Sequence, residues 1–192
     1  MINMNNDQES ISDKSVTEIR GVIEKKGVRI TETKDIDELS SRGYGVREDD
    51  GLLLAFYEVL YLMDKGMLTV TSKRKKKADF QAVLKEFEAS SENAWTQYLA
   101  YRDLRSRGYV VREGFGSGVD FRVYERGEYS KDAAKYLILN VQEGKPLSLA
   151  ELAKTLKQSQ SLKKELVLAV MNRRGEVVYY SVSQLNLAGM DA

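Results

Sequence analysis

The chain has 192 residues, 42% hydrophobic and 31% charged, enough apolar material for a packed core and the length of one large domain or two small ones. It contains no cysteine and no histidine, which removes disulfides, zinc–thiolate sites, thiol nucleophiles and Ser-His-Asp chemistry and all but excludes a metallohydrolase. Thirty basic residues balance 29 acidic ones, so any basic surface for nucleic acid has to be local. No apolar run approaches the roughly 18–20 residues of a membrane span. Met1 to Lys14 is polar and partly acidic, unlike a secretory signal. A cytoplasmic protein without membrane, metal or cofactor is expected.

The first stretch, residues 1–14, is rich in Asn, Asp and Ser and reads as a flexible N-terminus. Residues 15–90 read as a small α+β domain. Ile19, Val22, Ile23, Val28 and Ile30 flank Lys25-Lys26-Gly27, which predicts two short strands around a turn. Asp35 to Ser41 predicts a short helix. Leu53, Leu54, Tyr57, Leu60 and Tyr61 recur at helical spacing, so a helix over 51–65 is expected, ended by Gly66. Met67 to Val70 is strand-like. The run Lys73-Arg74-Lys75-Lys76-Lys77 reads as a solvated loop, with phosphate binding as the alternative. Phe80, Val83, Leu84 and Phe87 mark one face of an amphipathic helix, and Ala89-Ser90-Ser91 has linker composition.

Residues 91–192 read as a second domain with helices on a mixed sheet. Trp95, Tyr98, Leu99 and Arg102 predict a helix through Arg107, stopped by Gly108. Tyr109 to Val111 and Val119 to Tyr124 are strand-like. Gly114, Gly116 and Gly118 between them form a flexible turn; they do not fit the dinucleotide fingerprint, because a strand follows where a helix is needed. Tyr136 to Val141 is another strand. Ser148 and Glu151 fit a capping box ahead of a helix carrying Leu149, Leu152, Ala153 and Leu156. Leu166 to Met171 and Val177 to Val182 flank Asn172-Arg173-Arg174-Gly175, a strong hairpin signal. The fold class is α+β.

Tyr101-Arg102-Asp103-Leu104-Arg105-Ser106-Arg107-Gly108-Tyr109-Val110-Val111, then Asp120-Phe121-Arg122-Val123-Tyr124, then Ala169-Val170 and Gly175-Glu176-Val177-Val178-Tyr179-Tyr180 resemble the archaeal tRNA-splicing endonuclease family. The resemblance is dense over 95–183 and weaker over 50–87. It implies metal-independent cleavage of precursor tRNA at bulge-helix-bulge motifs. The ribose 2′-hydroxyl attacks the adjacent phosphate, leaving a 2′,3′-cyclic phosphate and a 5′-hydroxyl. The family uses a tyrosine as base, a histidine as acid and a lysine to stabilise charge on phosphorus. Carried over, the tyrosine is Tyr124 and the lysine Lys164. The histidine that begins a His-Ser-x-Tyr-Leu segment is replaced here by Ala133, followed by Ala134-Lys135-Tyr136-Leu137. A methyl group donates no proton, and losing a general acid costs roughly 100- to 10,000-fold in rate.

Family members act as assemblies of four similar units, some of which are structural. The resemblance therefore implies a structural subunit in a hetero-oligomer with a catalytic homologue, acting on precursor tRNA. Two alternatives stay open: a catalytic subunit with its histidine exchanged for Ala133, or an RNA-binding scaffold with no role in cleavage. Lys157 and Lys163 are the candidate RNA contacts. Lys157 stands near a family arginine that grips a bulge base, and lysine lacks the flat stacking guanidinium. Val177 to Val182, with Val177 and Tyr179, is the candidate interface strand. Arg173 and Arg174 occupy a hairpin loop that in the family is acidic and docks on the opposing unit.

Overall fold

The computed structural model describes residues 18–115, 118–129 and 133–185. The flexible stretch expected over 1–14, and the middle glycine Gly116 of the three, lie outside them. Strand β1 (Ile19–Glu24) turns at Lys25-Lys26 into β2 (Gly27–Ile30), with Glu24 opposite Gly27. Helix α1 (Thr33–Ser41), β3 (Val46–Glu48), β4 (Gly51–Leu54), α2 (Phe56–Asp64), β5 (Leu68–Thr71), β6 (Lys77–Ala78) and α3 (Phe80–Ser90) follow. The strands form one sheet in the order β3-β4-β2-β1-β5-β6.

The helix expected over 51–65 is instead a strand joined to a helix. Leu52 and Leu54 are fully buried and pair with Ile30 and Val28, while Leu53 between them is half-buried. That is a period of two, and the adjoining apolar run hid it, since short apolar segments fit either template. The helix begins where the Glu58 carboxylate accepts the Ala55 amide at 2.9 Å. The cationic run is also more than a loop. Lys77 pairs with Thr71 and Ala78 with Val70, so the run forms the tip of a hairpin.

In the second half, α4 (Ala94–Ser106), β7 (Val110–Glu113), β8 (Phe121–Tyr124), β9 (Tyr136–Gln142), α5 (Leu149–Ser161), β10 (Glu165–Met171) and β11 (Val177–Val182) follow in order. The sheet order is β11-β10-β9-β8-β7. Only β9 and β10 run parallel, and α5 makes the crossover that a parallel pair requires. The expected mixed sheet with helices is present.

One core joins the two halves. Tyr57 of α2 meets Tyr101 of α4 at 4.9 Å between ring centroids and Phe121 of β8 at 5.1 Å, edge-on. Aromatic pairs of this kind add about 0.5–1.5 kcal/mol each beyond the area they bury. A smaller cluster lies under α5, where Val119, Leu137 and Leu166 pack with Leu152 and Leu156. Leu149, expected on that buried stripe, is 80% exposed. Thr155 and Ser159 are buried instead, one and two turns after Leu152.

Candidate functional site

The end of β8 and the starts of β9 and β10 lie at one end of the second sheet. Val123 pairs with Tyr136, and Tyr136 with Glu165. One step outward, Tyr124, Lys135 and Lys164 form a transverse row. It is tied by the Lys135 amide to the Val123 carbonyl at 3.0 Å and by the Glu165 amide to the Lys135 carbonyl at 3.1 Å. Ala133 precedes Lys135 by two residues and is exposed. The topology thus brings the sequence-derived positions Tyr124 and Lys164 to neighbouring strand ends, with Ala133 in the short segment that leads into β9. Tyr124 is half-buried, with its ring edge-on to Tyr129 at 5.0 Å.

Lys164 is held by the end of α5. The Lys163 amide donates to Gln160 and the Lys164 amide to Ser159, each at 2.9 Å, the paired bonds of a Schellman ending. Lys163 adopts the left-handed conformation (φ 53°) that such endings normally give to glycine. The Lys164 ammonium donates to the Ala134 carbonyl, which links the lysine to the segment where the histidine is missing.

Sequence reasoning assigned no role to Lys135 in this row or to Glu125 beside it. Lys135 contacts Glu125 at 2.7 Å, and the Tyr136 hydroxyl donates to the same carboxylate at 3.3 Å. The hydrogen bond to Glu125 raises the Lys135 pKa above its ordinary value. Just ahead of β9, Ala133 and Lys135 are exposed and Ala134 between them is buried, so the alternation of the strand already holds in the segment that leads into it.

The first half of the chain supports this row from behind. Gly43 has φ +75°, and a Cβ placed there would lie 2.5 Å from the Val110 side chain and 3.2 Å from the Tyr129 ring. Only glycine lets the loop pass that closely. Arg112 of β7 donates to the Gly43 carbonyl at 3.0 Å. Arg105 of α4 donates to the Arg42 carbonyl at 3.1 Å and lies 3.9 Å from the Tyr44 ring centroid. Beneath the loop, the buried Glu58 carboxylate accepts the Gly45 amide at 3.0 Å, with Arg112 4.0 Å away. Burial raises the Glu58 pKa, against the opposing bonds from Gly45 and Ala55.

The other sequence-derived positions lie elsewhere. Lys157 is exposed on α5 and Lys163 is exposed at its end. β11 is an edge strand. Val177 and Tyr179 pack against the core, and the Tyr179 hydroxyl donates to Asp103 at 2.8 Å. Val178 and Tyr180 are the exposed pair, at 46% and 54%. Arg173 and Arg174 are exposed in a turn organised by Asn172, whose Oδ1 accepts the Arg174 amide at 2.9 Å and the Glu176 amide at 3.0 Å.

Residues 19–84 match the family model described as tRNA intron endonuclease, N-terminal domain, and residues 94–179 match tRNA intron endonuclease, catalytic C-terminal domain. A tRNA-splicing endonuclease of Methanococcus maripaludis is 35% identical over 152 residues, which is 79% of this chain and 86% of the relative. The chain belongs to the tRNA intron endonuclease family. A Pyrococcus horikoshii tRNA-splicing endonuclease is 33% identical over 153 residues, 79% of this chain and 88% of its own length. Relatives in this family also come in a longer form: a Methanosarcina mazei tRNA-splicing endonuclease is 32% identical over 167 residues, 85% of this chain but 46% of the relative.

Proposed function

We propose that this chain is a structural subunit of a tRNA-splicing endonuclease, acting in the cytoplasm on precursor tRNA in a hetero-oligomer with a catalytic homologue. The observation that carries this reading is Ala133, exposed two residues before Lys135 of the Tyr124–Lys164 row, in a chain with no histidine anywhere. In the family reaction a proton has to reach the leaving 5′-oxygen as the 2′-hydroxyl attacks phosphorus. No imidazole of this chain can supply it. A supporting subunit acts by geometry: it sets the spacing of two active sites against two bulges, and positioning of reacting groups can be worth about 7–11 kcal/mol. The core shared by the two halves gives such a subunit its rigidity. The exposed Val178 and Tyr180 on edge strand β11 suit pairing with another unit.

A second reading is favoured by one observation. Tyr124 and Lys164 still share a row, as they would in a catalytic unit whose histidine had been exchanged. The test mixes this chain, the catalytic homologue and intron-bearing precursor tRNA, each protein alone and both together. Cleavage only by the mixture supports the structural role. Cleavage by this chain alone, free of contaminating nuclease, overturns it.

A further inference from the structure

Strands β1 and β5 run parallel, with Ile19 opposite Leu68 and Val22 opposite Thr71. Their C-terminal ends therefore lie side by side, and so do the turns that follow them. The β1–β2 turn carries Lys25 and Lys26; the β5–β6 tip carries Lys73, Arg74, Lys75, Lys76 and Lys77. One end of the first sheet thus gathers seven cations in a chain whose formal net charge is only +1. Without these seven, the acidic residues of the chain outnumber the basic ones.

The tip is ordered. The Ser72 amide donates to the Lys76 carbonyl at 2.8 Å, the Lys75 amide donates to the Ser72 carbonyl at 2.8 Å, and the Lys76 amide donates to the Ser72 hydroxyl at 3.2 Å. The side chains of Lys73 to Lys77 are exposed. Among the described residues none of the seven cations makes an ion pair, while the neighbouring Glu24 is engaged by Arg29 at 3.1 Å. Neither turn carries an apolar side chain. Protein–protein docking needs aromatic or aliphatic anchors, whereas a phosphate backbone needs only closely spaced cations. Lys25 and Lys26 also line a cleft of about 830 Å³ between the two sheets, where Arg112 and Arg122 are balanced by Glu48, Glu58, Glu113 and Asp120, so the excess of positive charge is confined to the tips.

We infer that the paired tips of β1–β2 and β5–β6 bind the phosphate backbone of the RNA substrate, away from the Tyr124–Lys164 row. This inference rests on the proposed function for the identity of the polyanion. The placement separates binding from chemistry. Lys25 and Lys26 share the cleft with Gly114 and Asp120, at the opposite end of β7 and β8 from Tyr124. The tips therefore set affinity and leave the reaction of bound RNA untouched.

The test uses the full chain reconstituted with the catalytic homologue. One variant replaces residues 73–77 with Gln; a second carries K25Q and K26Q. Binding of precursor tRNA, and of an intron-free RNA duplex, is measured across salt concentrations. Each phosphate contact contributes a slope of about −0.7 to −0.9 in log affinity against log salt. For the first variant we expect the slope to shrink by about 2 or more and affinity near physiological salt to fall about tenfold or more. The second variant gives a smaller effect of the same sign, and cleavage at saturating precursor is unchanged in both. Unchanged slopes on both RNAs overturn the inference. So does loss of co-elution with the partner subunit at unchanged RNA affinity, which would make the tips a protein-docking surface. A slope that depends on the tips for both RNAs, with no precursor cleavage by the wild-type mixture, supports the inference and removes the proposed function alone.

Discussion

Replacing Glu58 by Ala probes the joint between the two halves. The carboxylate serves two backbone donors, Gly45 at 3.0 Å and Ala55 at 2.9 Å, and its residue is 3% exposed. Removing it leaves both amides without an acceptor, at about 1–3 kcal/mol each, and opens a small void. Relief of the carboxylate's own desolvation offsets part of that loss. The expected net destabilisation is about 3 kcal/mol, which for a chain of this length lowers the melting temperature by about 6–12 °C. Glu58→Gln keeps one acceptor oxygen and loses less. It also changes the pH dependence. A carboxyl whose folded pKa is raised binds protons more readily folded than unfolded, so its stabilisation is fully present below the ordinary value of 4.5 and is lost as pH rises through the folded pKa. The stability of wild type relative to the Gln variant therefore falls as pH climbs above 4.5. Chemical denaturation of the three proteins at several pH values measures both effects. An Ala variant within about 0.5 kcal/mol of wild type would refute the accounting of the two amides.

Lys163→Gly relieves the left-handed strain at the end of α5 and should change stability by no more than about 1 kcal/mol, toward stabilisation; a thermal melt checks the sign. Ala133→His separates the two readings: a catalytic unit with an exchanged histidine gains roughly 100- to 10,000-fold in cleavage of precursor tRNA by the variant alone in a gel assay, whereas a structural subunit gains nothing. Exchanging Arg173 and Arg174 for Glu reverses the charge of the exposed hairpin tip and should alter co-elution with the catalytic homologue in gel filtration; an unchanged profile argues against a role for the tip in assembly.

Elements with one clean period were legible in the sequence. The stripe of Val83, Leu84 and Phe87 gave α3, and Asn172 to Gly175 between two β-rich runs gave the β10–β11 hairpin. The β4–α2 junction was not legible, because Gly51 to Asp64 is almost continuously apolar and a switch from period two to period 3.6 leaves no gap. β3 and β6 were hidden for the opposite reason. Val46-Arg47-Glu48 and Lys77-Ala78 carry too little apolar character to read as strands, and their pairing to β4 and β5 is a tertiary fact. Tyr124 and Lys164 emerged through resemblance to a family; as isolated residues they read as a core tyrosine and a surface lysine. Glu58 had a weak local signal, a lone acid in the stripe Phe56-Tyr57-Glu58-Val59-Leu60-Tyr61. Its partner Gly45 is set by the fold.

The row of strand ends is held from both sides. Tyr124 rests on Tyr129, Tyr129 lies against Gly43, and Gly43 is gripped by Arg112, which also faces Glu58. On the other side, Lys164 is fixed by the end of α5 and by the Ala134 carbonyl. Each link joins different elements, so the row reports the relative placement of both halves of the molecule. A subunit whose task is to hold a partner's chemistry at fixed spacing needs that rigidity and not the proton donor. On the proposed structural role, loosening Gly43 should weaken cleavage by the assembled enzyme through assembly or affinity and leave the rate at which bound precursor is cut unchanged.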